Sequence, residues 1–230
     1  MSRLVVVTGG TKGIGKAVAE RFAAAGDRVE AVGRDVLDVT DEENVAAFFG
    51  QVGRVDVLVN NAGTASSAPL DRTTLDAWRA HLDVNATGAF LCTRAVVGGM
   101  IERGDGRIVT VASTAGRAGA RYTAAYAASK HAAIGLMRAT AAEVAGTGVT
   151  ANAVCPSWVR TDMTTRTVET IVARTGRAAE EAEAALIAMT PLGRLLEPEE
   201  VAFAVEFLAA REAAAINGQT LILDGGGLQA

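Results

Sequence analysis

The chain has 230 residues, half of them hydrophobic and only 4% aromatic, with 25 glycines and a net charge of −4. Its core must be built from Ala, Val, Leu and Ile, and scattered Lys and Arg without a basic run argue against nucleic-acid binding. Cys92 and Cys155 stand far apart with no partner at metal-ligand spacing, so two reduced, buried thiols, no metal and a cytoplasmic setting are expected.

Taken in chain order, Leu4–Val7 is a short β-branched run of the kind buried on both faces of a sheet. It breaks at once into Thr8-Gly9-Gly10, unlike a signal peptide. Ile14–Ala25 is an Ala-rich segment of helical length, and Val29–Val32 is a weaker strand interrupted by Glu30. Gly33-Arg34-Asp35 then leads almost directly into Val36–Thr40. A parallel crossover needs about a dozen residues or more, so either a helix is missing or Val36–Asp38 is a short neighbouring strand reached by a bare loop. Glu42–Gln51, Leu75–Arg103 and Thr123–Ala145 read as helices, with strands at Val55–Val59, Arg107–Val111 and Val149–Val154. The rhythm fails between Trp158 and Leu195, where a helical stretch, Ala178–Met189, precedes Pro191 and Gly193. We expect residues 157–195 to form a small helical cap over one end of the sheet. Pro198–Ala210 and Thr220–Leu223 add a helix and a strand. No run approaches ~18 consecutive apolar residues, so no membrane span is expected. The alternation predicts an α/β fold: one doubly wound, Rossmann-type parallel sheet with helices on both faces, in a single domain over 1–230.

The first strand runs into Gly9-Gly10-Thr11-Lys12-Gly13-Ile14-Gly15. Glycines there allow a tight turn and close approach of a ligand, and the helix opening near Gly13 offers free N–H groups to an anion. The position, after the first strand and at the start of a helix, is where dinucleotides bind in such sheets.

The spacing of Gly9, Gly13 and Gly15, TGxxxGxG, resembles the short-chain dehydrogenase/reductase family. Asn60-Asn61-Ala62-Gly63 resembles that family's NNAG segment, and Val84-Asn85 with Gly88 its helix Asn motif. Ser113, Tyr126 and Lys130 stand at the family's catalytic spacing, while Asn152, Pro156 and Thr161-Asp162-Met163 resemble the segment with nicotinamide-side contacts. The likeness runs from Leu4 to about Gly226. It implies a nicotinamide cofactor held by Gly9, Thr11, Lys12, Gly13, Ile14 and Gly15. It also implies adenine contacts from Asp38 and Val39, a ribose-side wall of Asn61, Ala62 and Gly63, and further contacts from Pro156, Val159 and Thr161.

Tyr126 and Lys130 are four residues apart in a helical segment, so both emerge on one face. A phenol, with an ordinary pKa near ~10, shuttles protons poorly at neutral pH. An ammonium beside it favours the phenolate and lowers that value. Ser113 ends a strand at the carboxyl edge, where its hydroxyl can bond a substrate carbonyl oxygen as charge develops. The resemblance assigns Ser113 that role, and implies that Asn85 holds a water joining Lys130 to solvent. The expected step passes hydride to a ketone carbon and a proton from Tyr126 to its oxygen. Tyr122 is left a rim role at most.

The second strand ends without an acid at Gly33, and Arg34 follows. An Arg there favours a 2′-phosphate over a free ribose hydroxyl, and Lys12 adds a second charge. NADPH is therefore the expected cofactor, tempered by Asp35, which can pair with Arg34 or face the ribose. His81 and His131 are read as helix-surface or packing residues, Cys155 and Trp78 as core, and Glu180–Glu183 as a solvated face. Trp158 and Met163 begin the cap and stand where substrate can touch them. Ser157 departs from the family's usual Gly. Among family members the chain looks most like β-ketoacyl-thioester and polyketide ketoreductases, although Gly104 and Thr147 occupy two positions where fatty-acid-type relatives often carry Arg. The expected partner is a small carbonyl substrate, carrier-protein- or coenzyme-A-linked or free, and the expected assembly a homo-oligomer, a tetramer. The rival expectations are an alcohol dehydrogenase working in the oxidative direction and a non-catalytic dinucleotide-binding regulator.

Overall fold

A computed structural model describes residues 2–229. Its strands are β1 (Leu4–Thr8), β2 (Arg28–Val32), β3 (Val57–Asn60), β4 (Gly106–Val111), β5 (Val149–Pro156) and β6 (Thr220–Leu223). The helices are α1 (Gly13–Ala24), α2 (Glu42–Val52), α3 (Leu75–Leu82), α4 (Gly88–Arg103), α5 (Ala124–Glu143), α6 (Asp162–Thr175), α7 (Ala179–Ile187) and α8 (Pro198–Ala209). The strands form one parallel sheet in the order β2-β1-β3-β4-β5-β6.

Every residue of β1, β3, β4 and β5 is buried, because each strand is covered on both faces. Leu4 and Val6 of β1 join a core under α2, α4 and α5, while Val5 and Val7 join a second core under α1 and α8. The pleat sends alternate side chains to opposite faces, so a run of valines can serve two helix layers at once. Burying each such side chain contributes about 1.5–3 kcal/mol. The winding direction reverses between β1 and β3, and the crevice at their carboxyl ends is where a doubly wound sheet takes its ligand.

Of the two expectations for the link after β2, the one in which a helix is missing holds. Val36–Asp38 is neither strand nor helix: Val36 and Leu37 both donate their amides to the Gly33 carbonyl, closing a turn that leads on to α2. β2 is therefore the border strand. The segment after β5 also holds an unforeseen helix, α6. Its threonines have poor helix propensity, but Thr165, Thr167 and Thr170 each donate their hydroxyl to the carbonyl four residues back.

α3 and α4 make one rod, Leu75–Arg103, joined by a π turn at Asp83–Thr87. With 29 residues and a window of mean hydropathy 1.3, the rod is long and apolar enough to cross a membrane. Here Leu91, Cys92, Val96 and Met100 spend that apolarity on the sheet.

Candidate active site

β1 delivers the chain into the glycine turn at the winding reversal. Gly9 and Gly13 adopt φ of +62° and +51°, a region costly for residues with a Cβ. Gly15 is required by space: a Cβ there would collide with the Gly9 carbonyl and the Asn61 side-chain amide. Gly10, which carries no motif signal of its own, is similarly constrained, because a Cβ would lie 2.8 Å from the Ala31 Cα. α1 starts at Gly13 with no side-chain cap on its first amides and no acid in its first turn. These features fit a dinucleotide pyrophosphate.

The wall of this cradle comes from the end of β3. Asn61 donates its side-chain amide to the carbonyls of Thr8 and Gly9 at 2.9 and 3.0 Å, and the Thr8 hydroxyl accepts from the amides of Asn61 and Ala62 at 3.0 Å each. Asn61 thus braces the turn, with Thr8 as an unforeseen partner. A Cβ on Gly63 would meet Asn85 Oδ1 at 3.2 Å and Lys130 Nζ at 3.7 Å, so the expected ribose-side wall abuts Asn85 and Lys130. On the other flank, Thr161 caps the start of α6 next to Gly13, with its methyl 3.3 Å from where a Cβ on Gly13 would be. Pro156 and Val159 are buried, Val159 bridging to Leu196. Thr11 lies against Gly33, while Lys12 is exposed and Ile14 half-buried.

The charges after β2 are arranged differently from expectation. Arg34 pairs with Asp38 at 3.0 Å, while the Asp35 carboxylate folds over Gly33. Asp38 is tied down further: its Oδ1 accepts the Thr40 hydroxyl at 2.7 Å and the Thr40 amide at 3.0 Å. These bonds, with Arg34 behind them, lower its pKa. Val39 is buried and packs on Gly88, where a Cβ would come within 2.6 Å of its methyl. The side chains of Asp38 and Val39 are thus committed within the protein, while Arg34, paired with Asp38, remains largely exposed.

Ser113 follows β4, the buried strand that ends at Val111. Its hydroxyl accepts the Ala115 amide at 3.1 Å and caps a short 3-10 turn, Thr114–Gly116. That turn sits on α5 because residue 116 is Gly: a Cβ would strike Ile134 at 2.7 Å and the Lys130 carbonyl at 2.9 Å. Lys130, fully inside, donates Nζ to the Val111 carbonyl at 2.9 Å and stands 5.9 Å from the centre of the Tyr126 ring. Asn85, in the π turn, accepts the Thr64 amide at 2.8 Å and donates to the Thr64 carbonyl and the Ser129 hydroxyl, both at 2.9 Å. Ser129 in turn donates to the Tyr126 carbonyl at 2.7 Å. Its only sequence signal is its place beside Lys130.

The Tyr126 phenol shifts in the direction opposite to the one expected, and burial is the cause. Burial pushes the Tyr126 pKa up, with a Ser113 hydrogen bond opposing it. Burial also pulls Lys130 down to about 8. At both positions loss of hydration is the largest cause, and it disfavours the charged form of each group.

Trp78 is 37% exposed and so is not core. Cys155 is fully buried, His131 lies on the surface, and Met163 and Tyr122 are exposed at the rim. The Ser157 hydroxyl is buried without a hydrogen-bond partner among the described residues. Gly104 ends α4 and Thr147 precedes β5, so both lie at the amino edge of the sheet, opposite Ser113.

A family model described as "Enoyl-(Acyl carrier protein) reductase" matches residues 35–227. A Streptomyces virginiae protein named "Monensin polyketide synthase putative ketoacyl reductase" is 40% identical over 253 residues, 98% of this chain and 97% of the relative. The chain belongs to the short-chain dehydrogenase/reductase family. A Vibrio cholerae member, 3-oxoacyl-[acyl-carrier-protein] reductase, is 36% identical and covers 97% of this chain and 96% of its own length. The family likeness extends to three dimensions. An actinorhodin polyketide ketoreductase variant crystallised with NADPH superposes with a TM-score of 0.89 at 35% identity, covering 98% of this chain and 97% of that one. The 253 residues matched in the S. virginiae relative exceed the 230 of this chain, so that family member carries residues this one does without.

Proposed function

We propose that this chain reduces a ketone to a secondary alcohol with NADPH, its substrate a 3-oxoacyl thioester or a polyketide-like ketone, with Tyr126 as proton donor. The observation that carries the reading is the convergence of Ser113, Tyr126 and Lys130 beside the glycine cradle. NADPH, when bound, supplies the hydride. Gly9, Gly13 and Gly15 admit its pyrophosphate to the α1 amides, Arg34 and Lys12 meet its 2′-phosphate, and Thr161, Pro156 and Val159 border its nicotinamide end. Arg34, largely exposed, would leave Asp38 to do so, while Asp38 keeps its bonds to Thr40.

Ser113 orients the carbonyl oxygen and Tyr126 protonates it. The phenol is protonated at neutral pH, the form from which a proton is given. Lys130 and Asn85 maintain the group, the first through the Val111 carbonyl and the second through Thr64 and Ser129. Residues 157–195, with α6 and α7, act as the substrate cap within one catalytic domain. Names of relatives, an oxoacyl-carrier reductase among them, support the substrate class, and the NADPH in a solved neighbour supports the cofactor. The long helices assemble the chain into a homotetramer, a reading supported by Phe90 and Ile101 of α4, 42% and 39% exposed.

The test is Tyr126→Phe, assayed by NADPH oxidation on acetoacetyl thioesters, decalones and simple ketones. Turnover should fall by about 10²-fold or more, while NADPH binding, followed by nicotinamide fluorescence, persists and NADPH outperforms NADH in the parent. Near-parental turnover in Tyr126→Phe rejects the assignment.

A further inference from the structure

His81 was expected to be ordinary packing, yet its bonds are specific. It is 3% exposed, at the end of α3. Nδ1 lies 2.6 Å from the Ala77 carbonyl, which can only accept, and Nε2 lies 2.9 Å from the Ser66 backbone nitrogen, whose N–H can only donate. These two contacts dictate one tautomer: a neutral ring with its proton on Nδ1 and its lone pair on Nε2. The Ser66 hydroxyl, 3.4 Å from Nε2, gains no general base from this, because the lone pair already holds the amide. The ring meets Tyr126 edge-on, with centroids 6.3 Å apart and planes at 75°.

Ser66 belongs to the loop after β3 that walls the site, and this loop is held at intervals. Asn85 grips Thr64 and His81 grips Ser66, while the Ala68 amide donates to the Tyr122 carbonyl at 2.8 Å. Tyr122 makes that last contact at φ +68°, an unfavourable conformation for a bulky residue. The His81 grip also meets the Tyr126 ring.

We propose that His81 is a positioning residue: its neutral imidazole couples the wall loop to the Tyr126 ring, setting where the proton donor stands relative to bound substrate. The inference rests on the reductase reading above. It is tested by His81→Leu, which fills space without an acceptor, and His81→Gln, whose amide oxygen can take the Ser66 N–H. In His81→Leu, kcat for the carbonyl should fall about 10- to 100-fold. Amide exchange at Ser66 should quicken, and the Kd for NADPH should stay within about twofold. His81→Gln should regain Ser66 protection and most of kcat. A folded His81→Leu with unchanged kcat overturns the proposal, as does a folded His81→Gln that protects Ser66 but loses kcat like Leu. Should His81→Leu not fold, the Gln variant alone decides between those outcomes. A parent inactive on every carbonyl defeats the reductase reading instead; the Ser66 exchange contrast between the variants then still decides whether the clamp exists.

Discussion

Lys130 keeps its ammonium in a place where water cannot reach it, and the cost is readable. Its folded value of about 8 lies below its ordinary 10.5, so between those values the unfolded chain holds a proton that the folded chain has released. Stability from this group therefore rises with pH from 8 to 10.5, and its penalty is complete below 8. Lys130→Met should erase that slope. In urea titrations across this range, the unfolding free energy of the parent should gain roughly 1–3 kcal/mol relative to the variant; parallel curves would show that Lys130 is not desolvated. The four-residue spacing of Tyr126 and Lys130 was legible because helix geometry places such pairs together. The upward shift of the phenol was not, since it depends on burial contributed by residues distant in sequence. Nor was Ser129 or the bond between His81 and Ser66, for the same reason.

Among the elements, alternation of valine runs with alanine-rich segments made the sheet and most helices readable. α6 escaped because threonine favours strands by propensity, while its hydroxyls, bonded to the preceding turn, leave no periodic trace in the sequence. The unusual shortness of the link after β2 was legible, but its conformation was not, because a turn closed on Gly33 leaves no periodic trace. Glycines also divide by element. Gly15→Ala should lose about 1–3 kcal/mol through overpacking against Gly9 and Asn61, together with most NADPH affinity. Gly50→Ala, in the last turn of α2 with open space around it, should gain about 0.5 kcal/mol. Thermal melts with and without NADPH measure both, and equal effects at the two sites would contradict the packing described for the cradle.

At the scale of the molecule, three layers hold one edge of the sheet open for chemistry while the other carries connections such as Gly104 and Thr147. The proposed tetramer gives a direct expectation: light scattering should report about four times the 23.6 kDa chain mass, and a particle of single-chain mass would reject it. The π turn at Asp83–Thr87 has a reach beyond its own five residues. An α-helix advances about 100° per residue, so the wider winding there resets the phase of everything after it. α3 can direct His81 towards Tyr126 while α4 directs Leu91, Cys92 and Val96 into the sheet. One continuous rod thereby obeys two different facing rules, and Asn85 stands at the junction where they change over.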